Sequence, residues 1–299
     1  MKNNNANNIK WLLMIALALI WGSSFILMKR GLLDFSPNQV ASIRMLAAFL
    51  CLFPFVIAHT SKIKKEQWKF IFATGLLGNG IPAFLFATAQ MEVPSSVAGM
   101  LNSLTPLFTL VIGYFVFKTP ITAYRLAGVG LGLLGAIGLI MMNSSNFAGT
   151  FSWYPMMIVL ATLLYAMSVN IIRNKLQEVE AIHISGFALF IVGPPTGIYL
   201  FMTDFVSILN TNPHAYISLG YVLLLGIFGT AISIVLFNKL IKISGALFAS
   251  SVTYLIPIVA MLWGIADHEN LGWLHLLALL AILGGVYLIN LKNKEVKEK

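Results

Sequence analysis

Ten apolar runs, each about 20 residues long, take up nearly the whole chain, and about 20 residues is the length of helix that crosses a hydrocarbon core. They fall at 11–28, 37–58, 69–90, 96–117, 123–142, 153–172, 182–202, 216–238, 246–266 and 272–291. The runs are continuous rather than alternating. Inside a bilayer only helices and closed barrels satisfy every backbone polar group, so the expected fold is all-α and integral to the membrane, with ten transmembrane helices. Composition agrees: 59% of residues are hydrophobic and 10% charged, against about 45–50% and about 25% in soluble domains.

A net charge of +9 would by itself admit a nucleic-acid partner. Sorting the basic residues by loop removes that reading. With the N-terminus in the cytoplasm, every Lys and Arg except Lys29, Arg30 and Arg44 falls on the cytoplasmic side. The positive-inside rule then predicts that both termini are cytoplasmic, in a multi-pass protein of the cytoplasmic (inner) membrane. Residues 1–10 read as a disordered, asparagine-rich tail, 143–152 as a polar linker and 292–299 as a basic tail. Cys51 is the only cysteine, so no disulfide can form within the chain.

The chain also repeats itself. Ser95, Gly99, Asn102, Pro106, Thr109 and Gly113 form one small and polar stripe at helical spacing. Adding 151 to each number returns a second stripe: Ala246, Ser250, Thr253, Pro257, Ala260 and Gly264. The same offset pairs Gly78, Leu85 and Phe86 with Gly229, Leu236 and Phe237. An offset of 144 pairs Trp21, Ser24 and Lys29 with Tyr165, Ser168 and Arg173, and 141 pairs Pro54 with Pro195. Five spans per copy is an odd number, so the second copy (153–291) must cross the membrane in the opposite sense to the first (11–142). Inverted repeats are a hallmark of secondary transporters, whose substrate sites lie near the midplane between the halves.

Trp21-Gly22-Ser23-Ser24-Phe25 near the close of the first run, Arg44 in the second, and Pro106 and Pro257 in the fourth and ninth resemble the EamA-type branch of the drug/metabolite transporter superfamily. The resemblance covers residues 10–292. It implies a basket of ten helices around a central cavity, through which small metabolites, often amino acids, move outward across the cytoplasmic membrane. Such proteins usually carry an acid about a dozen positions beyond each proline. Here the second copy has Glu269 and the first has Lys118.

Candidate pathway residues follow from chemistry and from equivalence across the repeat. A helix proline frees the carbonyl four residues back, here that of Asn102 or Thr253, next to a polar side chain in each case. The pair could line a cavity and bind ammonium or hydroxyl groups, or simply bridge helices. Trp21 and Tyr165 are equivalent rings that could bound a pocket, and Tyr254 is a further ring. Asn79 and Thr230 form another equivalent pair; Ser24, Asn170 and Ser251 are weaker candidates.

Arg44 is the one charge well inside a span, at roughly 2.5–3.5 kcal/mol on insertion scales. It could bind a substrate carboxylate. The preferred reading is structural, because Arg44 lies about two turns from the outer face and could snorkel or pair with Glu92, Asp267 or Glu269. The acids all lie in loops or near span ends, so no mid-membrane carboxylate is expected to carry protons. Coupling through Glu92 or Glu269 stays open beside uniport.

Enzyme motifs fail on context. Gly130, Gly132 and Gly135 spell G-x-G-x-x-G inside a membrane helix, where close helix packing is the expected use. No P-loop or metal motif is present, so no enzyme, cofactor or metal site is expected. The leading reading is a secondary transporter exporting an amino acid or similar metabolite by alternating access, with a cavity between the first, third, fourth, sixth, eighth and ninth helices. The alternatives are a lipid-handling membrane protein or a non-transporting scaffold. Expected partners are a small-molecule substrate and membrane lipid, with no nucleic acid, in a monomer.

Overall fold

In the computed structural model, described for residues 2–57, 63–118, 122–145, 152–244, 248–249 and 252–290, the apolar runs are helices, and no strand occurs among the described residues. The helices are α1 (Lys2–Gly31), α2 (Pro37–Ile57), α3 (Lys65–Ala89), α4 (Ser95–Phe117), α5 (Ala123–Ser145), α6 (Tyr154–Lys175), α7 (Ala181–Phe201), α8 (Ala215–Ser244), α9 (Val252–Ala266) and α10 (Trp273–Asn290). The first eight are long and apolar enough to cross a membrane, whereas α9 and α10 are shorter apolar helices. A short helix, Phe205–Thr211, links α7 to α8. The bundle turns large apolar side chains such as Leu12, Leu33, Leu50, Phe115, Leu134 and Met202 outward, a surface that only a lipid environment accommodates. The chain is a multi-pass membrane protein.

Three local features depart from continuous spans. α1 begins at Lys2, so the stretch expected to be a disordered tail carries the first turns of the helix, which extends cheaply once the apolar run behind it has formed. α4 breaks at Ser103 and Leu104, whose N–H groups bond back three residues. Pro106 lies just inside its second half, Thr105–Phe117, because a proline ring clashes with the carbonyl four residues earlier. α3 and α8 each contain a wide π-turn, at Leu76–Gly80 and Ile227–Ile232. These start 151 residues apart.

Packing follows a two-fold pattern. α1 lies against α8 and α9, and its counterpart α6 lies against α3 and α4. Equivalent helices also pair with each other: α2 with α7, α4 with α9, and α5 with α10. Glycines set the closeness of these contacts. A Cβ on Gly285 would stand 2.4 Å from the Gly128 carbonyl, and one on Gly135 would stand 2.6 Å from that of Ala278. The G-x-G-x-x-G stretch is therefore part of the α5–α10 seam, although Gly130 faces open space.

Candidate functional site

The two small-residue stripes meet over their described parts, Ala246 and Ser250 lying outside the described residues. A Cβ on Gly99 would meet that of Ala260 at 2.4 Å, and one on Gly264 would meet that of Ser96 at 2.8 Å. The stripe is largely a seam between α4 and α9, with Asn102, Thr105 and Thr253 opening on a cavity of about 140 Å³. About 10–15 Å³ on such a measure holds one water, so the space suits a small solute.

The carbonyls freed by the prolines are occupied. Thr253 O accepts from Ser103 Oγ at 2.9 Å, and Asn102 O accepts from Thr105 Oγ1 at 2.8 Å. Each hydroxyl replaces the amide hydrogen that the proline lacks. The Asn102 side chain is different: it is 8% exposed, and among the described residues its amide has no hydrogen-bond partner.

The cavity wall collects Trp21 and Ser24 from α1, Asn79 from α3, Tyr165 from α6 and Thr230 from α8. Trp21 Nε1 donates to Gly229 O in the α8 π-turn at 3.0 Å. Its ring meets Phe237 edge-on at 4.9 Å, while Tyr165 stacks on Phe86 at 5.9 Å. Both π-turns are closed by a side chain over a wide carbonyl: Asn79 Nδ2 donates to Thr74 O and Thr230 Oγ1 to Leu225 O, each at 3.3 Å. Isolated π-turns in helices are frequent at functional sites.

Arg44 also lines this cavity, and here the partners expected from the sequence are corrected. It neither snorkels nor meets Glu92, Asp267 or Glu269. Its Nε donates to Thr230 Oγ1 at 2.7 Å, and the Tyr165 hydroxyl lies beside the guanidinium. The side chain leaves α2 toward the π-turn of α8, against which that helix packs. Among the described residues no carboxylate pairs with it, and the cavity lining contains no acid.

The acids that Arg44 was expected to meet belong to a cluster where α1 and α9 end and α4 begins. Lys29 Nζ lies 2.6 Å from Asp267 and 2.9 Å from Glu269, and Arg30 pairs with Asp267. Glu269 accepts from the backbone N–H groups of Ser95 and Ser96 at 2.9 and 3.0 Å and from both hydroxyls, the place where a negative charge suits a helix start. Burial pushes the Glu269 carboxyl up, but the bonds from Ser96, Lys29 and Ser95 outweigh it and hold it down to about 2. It is a fixed anion at physiological pH. Glu92 is exposed.

Asn170 and Tyr254 do not reach the cavity. Asn170 Nδ2 donates to Thr109 O at 3.0 Å and Ala166 O at 2.9 Å, tying α6 to α4; Tyr254 donates to Val286 O of α10 at 3.0 Å. Pro106 and Pro257 are buried behind the wall, and Ser251 lies outside the described residues. Sequence reasoning missed the contribution of α2 and α7, which bring Met45, Ile184, Ser185 and Ala188. It also missed the bond from Asn238 to Ser185 at 2.9 Å. The available signal was the repeat, since an offset of 141 pairs Arg44 with Ser185.

Residues 8–141 and 152–291 each match the model of the EamA-like transporter family. The chain belongs to that family. Its relatives include the "Uncharacterized inner membrane transporter YedA" of Escherichia coli K12, 28% identical across 93% of this chain and 89% of that one. The "Uncharacterized transporter YoaV" of Bacillus subtilis is 23% identical across 92% and 94%. The "Probable amino-acid metabolite efflux pump" of Salmonella typhimurium is 28% identical across 56% of this chain and 54% of its own. A solved crystal structure superposes with a TM-score of 0.63 at 15% identity, covering 93% of this chain and 95% of the other. That likeness concerns the fold alone.

Proposed function

We propose that this EamA-like protein is a secondary transporter, not an enzyme, that exports an amino acid or similar small metabolite across the inner membrane by alternating access. The observation that carries the reading is a cavity inside an apolar bundle that is lined from both repeats and gathers Arg44, Asn79, Asn102 and Thr230, with a π-turn on each side. The family match and the name of YedA support transport, and the name of the Salmonella relative supports export. In this reading the ten helices all span, both termini are cytoplasmic, and the second repeat is inverted.

The Lys29 end is then the outer end. The ion cluster of Lys29, Arg30, Asp267 and Glu269 joins α1 to α9 and α4 and acts as the outer latch. At the cytoplasmic end, Lys64 meets Glu178 at 2.9 Å, and Lys242 donates to the Gln177 and Val179 carbonyls. Opening requires one set of contacts to part while the other holds, and the π-turns supply helices that can bend. With Glu269 held ionised, it is a poor proton carrier, so uniport is favoured over coupling at this site.

The test is efflux from proteoliposomes loaded with amino acids, organic acids, amines and nucleosides, read by mass spectrometry against protein-free vesicles with and without a pH gradient. Selective loss of one class, unchanged by the gradient, is the expected result. No loss of any compound from folded protein would sink the transporter reading and favour lipid handling or a scaffold role.

A further inference from the structure

We propose that the cavity selects cargo carrying a carboxylate, held by Arg44 and Asn102, and has no subsite for a free cation. The inference rests on the transporter reading and names the substrate class of that same cavity.

Charge is the first observation. Arg44 is the one charged residue among the cavity lining, and no acid stands within it. Elsewhere in the molecule, cations near acids are paired with them, as Lys29 and Arg30 are with Asp267. A guanidinium offers five N–H donors in a fixed fork. Nε is committed to Thr230, which orients the fork, and the Tyr165 hydroxyl occupies one flank. The remaining donors have no acceptor among the described residues, and a carboxylate accepts two of them side by side.

Unused hydrogen-bonding capacity is the second. Asn79 and Asn238 are bonded to protein groups, whereas the Asn102 amide, on a largely buried residue of the cavity wall, has no partner among the described residues. An amide that faces the cavity with no protein partner is free to bond a ligand there. The third is the rest of the wall. Val169, Ile172, Ile184 and Ile234 offer apolar contact to an organic body, which a hydrated inorganic anion could not use. An amine or polyamine would bring a second positive charge beside Arg44 with no carboxylate to compensate it. The amino group of an amino acid is tolerated because the same molecule neutralises Arg44 first.

The test uses matched compounds that differ only in their charged groups: phenylalanine, 3-phenylpropionate and phenethylamine, and leucine, 4-methylpentanoate and isopentylamine. Binding to the full chain in detergent is measured by calorimetry and thermal shift at constant ionic strength. At least one series should show its two carboxylates binding and its amine at least tenfold weaker. Arg44→Gln should weaken the carboxylates about tenfold or more, and Arg44→Lys should fall between because it keeps charge but loses the fork. Amines binding as well as acids, or no binding by any carboxylate, would overturn the proposal on wild-type protein alone, even if Arg44→Gln does not fold. Unchanged carboxylate affinity in folded Arg44→Gln overturns it too. Amine efflux in proteoliposomes would remove the carboxylate rule and leave the transporter reading standing, whereas loss of all efflux removes the latter.

Discussion

The third and eighth helices hold the same π-turn, yet the side chains over the two turns differ. In the first copy the turn is closed by Asn79, and Ser168 stands so near Gly78 that a Cβ there would meet its Oγ at 2.4 Å. In the second copy Thr230 closes the turn, and Ser24 stands at 2.8 Å from the same point on Gly229. The backbone and the small residues repeat almost position for position. The charge does not: Arg44 sits on Thr230, while its counterpart Ser185 accepts from Asn238. The repeat supplies bendable helices twice, and divergence of side chains supplies a single charged subsite. On the proposed transport reading, symmetry suits a moving scaffold, and a cargo with one carboxylate would need only one site.

The sharpest way to break this comparison is to exchange the prolines' neighbours. Asn102→Leu should reduce proteoliposome transport to background while the protein still elutes as a folded species, because it deletes the unpartnered amide. Thr253→Val should cost less than about tenfold, since the Thr253 carbonyl keeps its bond to Ser103. Equal losses would mean that the two copies serve the cargo alike.

The ends of the fourth and ninth helices are also unequal, with Glu269 in one copy and Lys118 in the other. Glu269→Gln should destabilise the detergent-solubilised protein by about 1.5–3 kcal/mol, the range for charged hydrogen bonds. The sign with pH follows from the depressed carboxyl. Its contribution is complete above about pH 4.5, the ordinary value for the group, and is lost as pH falls toward about 2. A thermal-shift profile should decline across that window, and Glu269→Gln should flatten it.

Gly78→Ala should then destabilise by about 1–2 kcal/mol through overpacking, Gly229→Ala by less, and Ser168→Ala should recover part of the Gly78→Ala loss. If both glycines tolerate alanine equally, the closeness at Gly78 is not a constraint. The smallest effect belongs to the cytoplasmic pair. Lys64 holds the Glu178 carboxyl down, but both are well exposed, and Lys64→Ala should change the midpoint no more than an ordinary surface substitution.

Much of the architecture was legible because hydrophobicity and small-residue spacing are local properties. The apolar runs had to be helices in lipid, the offsets of 151 and 144 paired Gly78 with Gly229 and Ser24 with Ser168, and Pro106 and Pro257 marked which carbonyls lose a donor. Trp21, Asn79, Asn102, Tyr165, Thr230 and Thr253 share the cavity because the repeat puts chemically similar groups at related depths. What the linear pattern could not contain is the rotation of each helix about its own axis. That rotation turned Asn170 to the Thr109 carbonyl and Tyr254 to α10, pressed the two small-residue stripes together, and brought Arg44 inward to Thr230 rather than outward to the acids. Helices that are apolar on nearly every face carry little preference for which face meets a neighbour. Close packing of the whole bundle decides it.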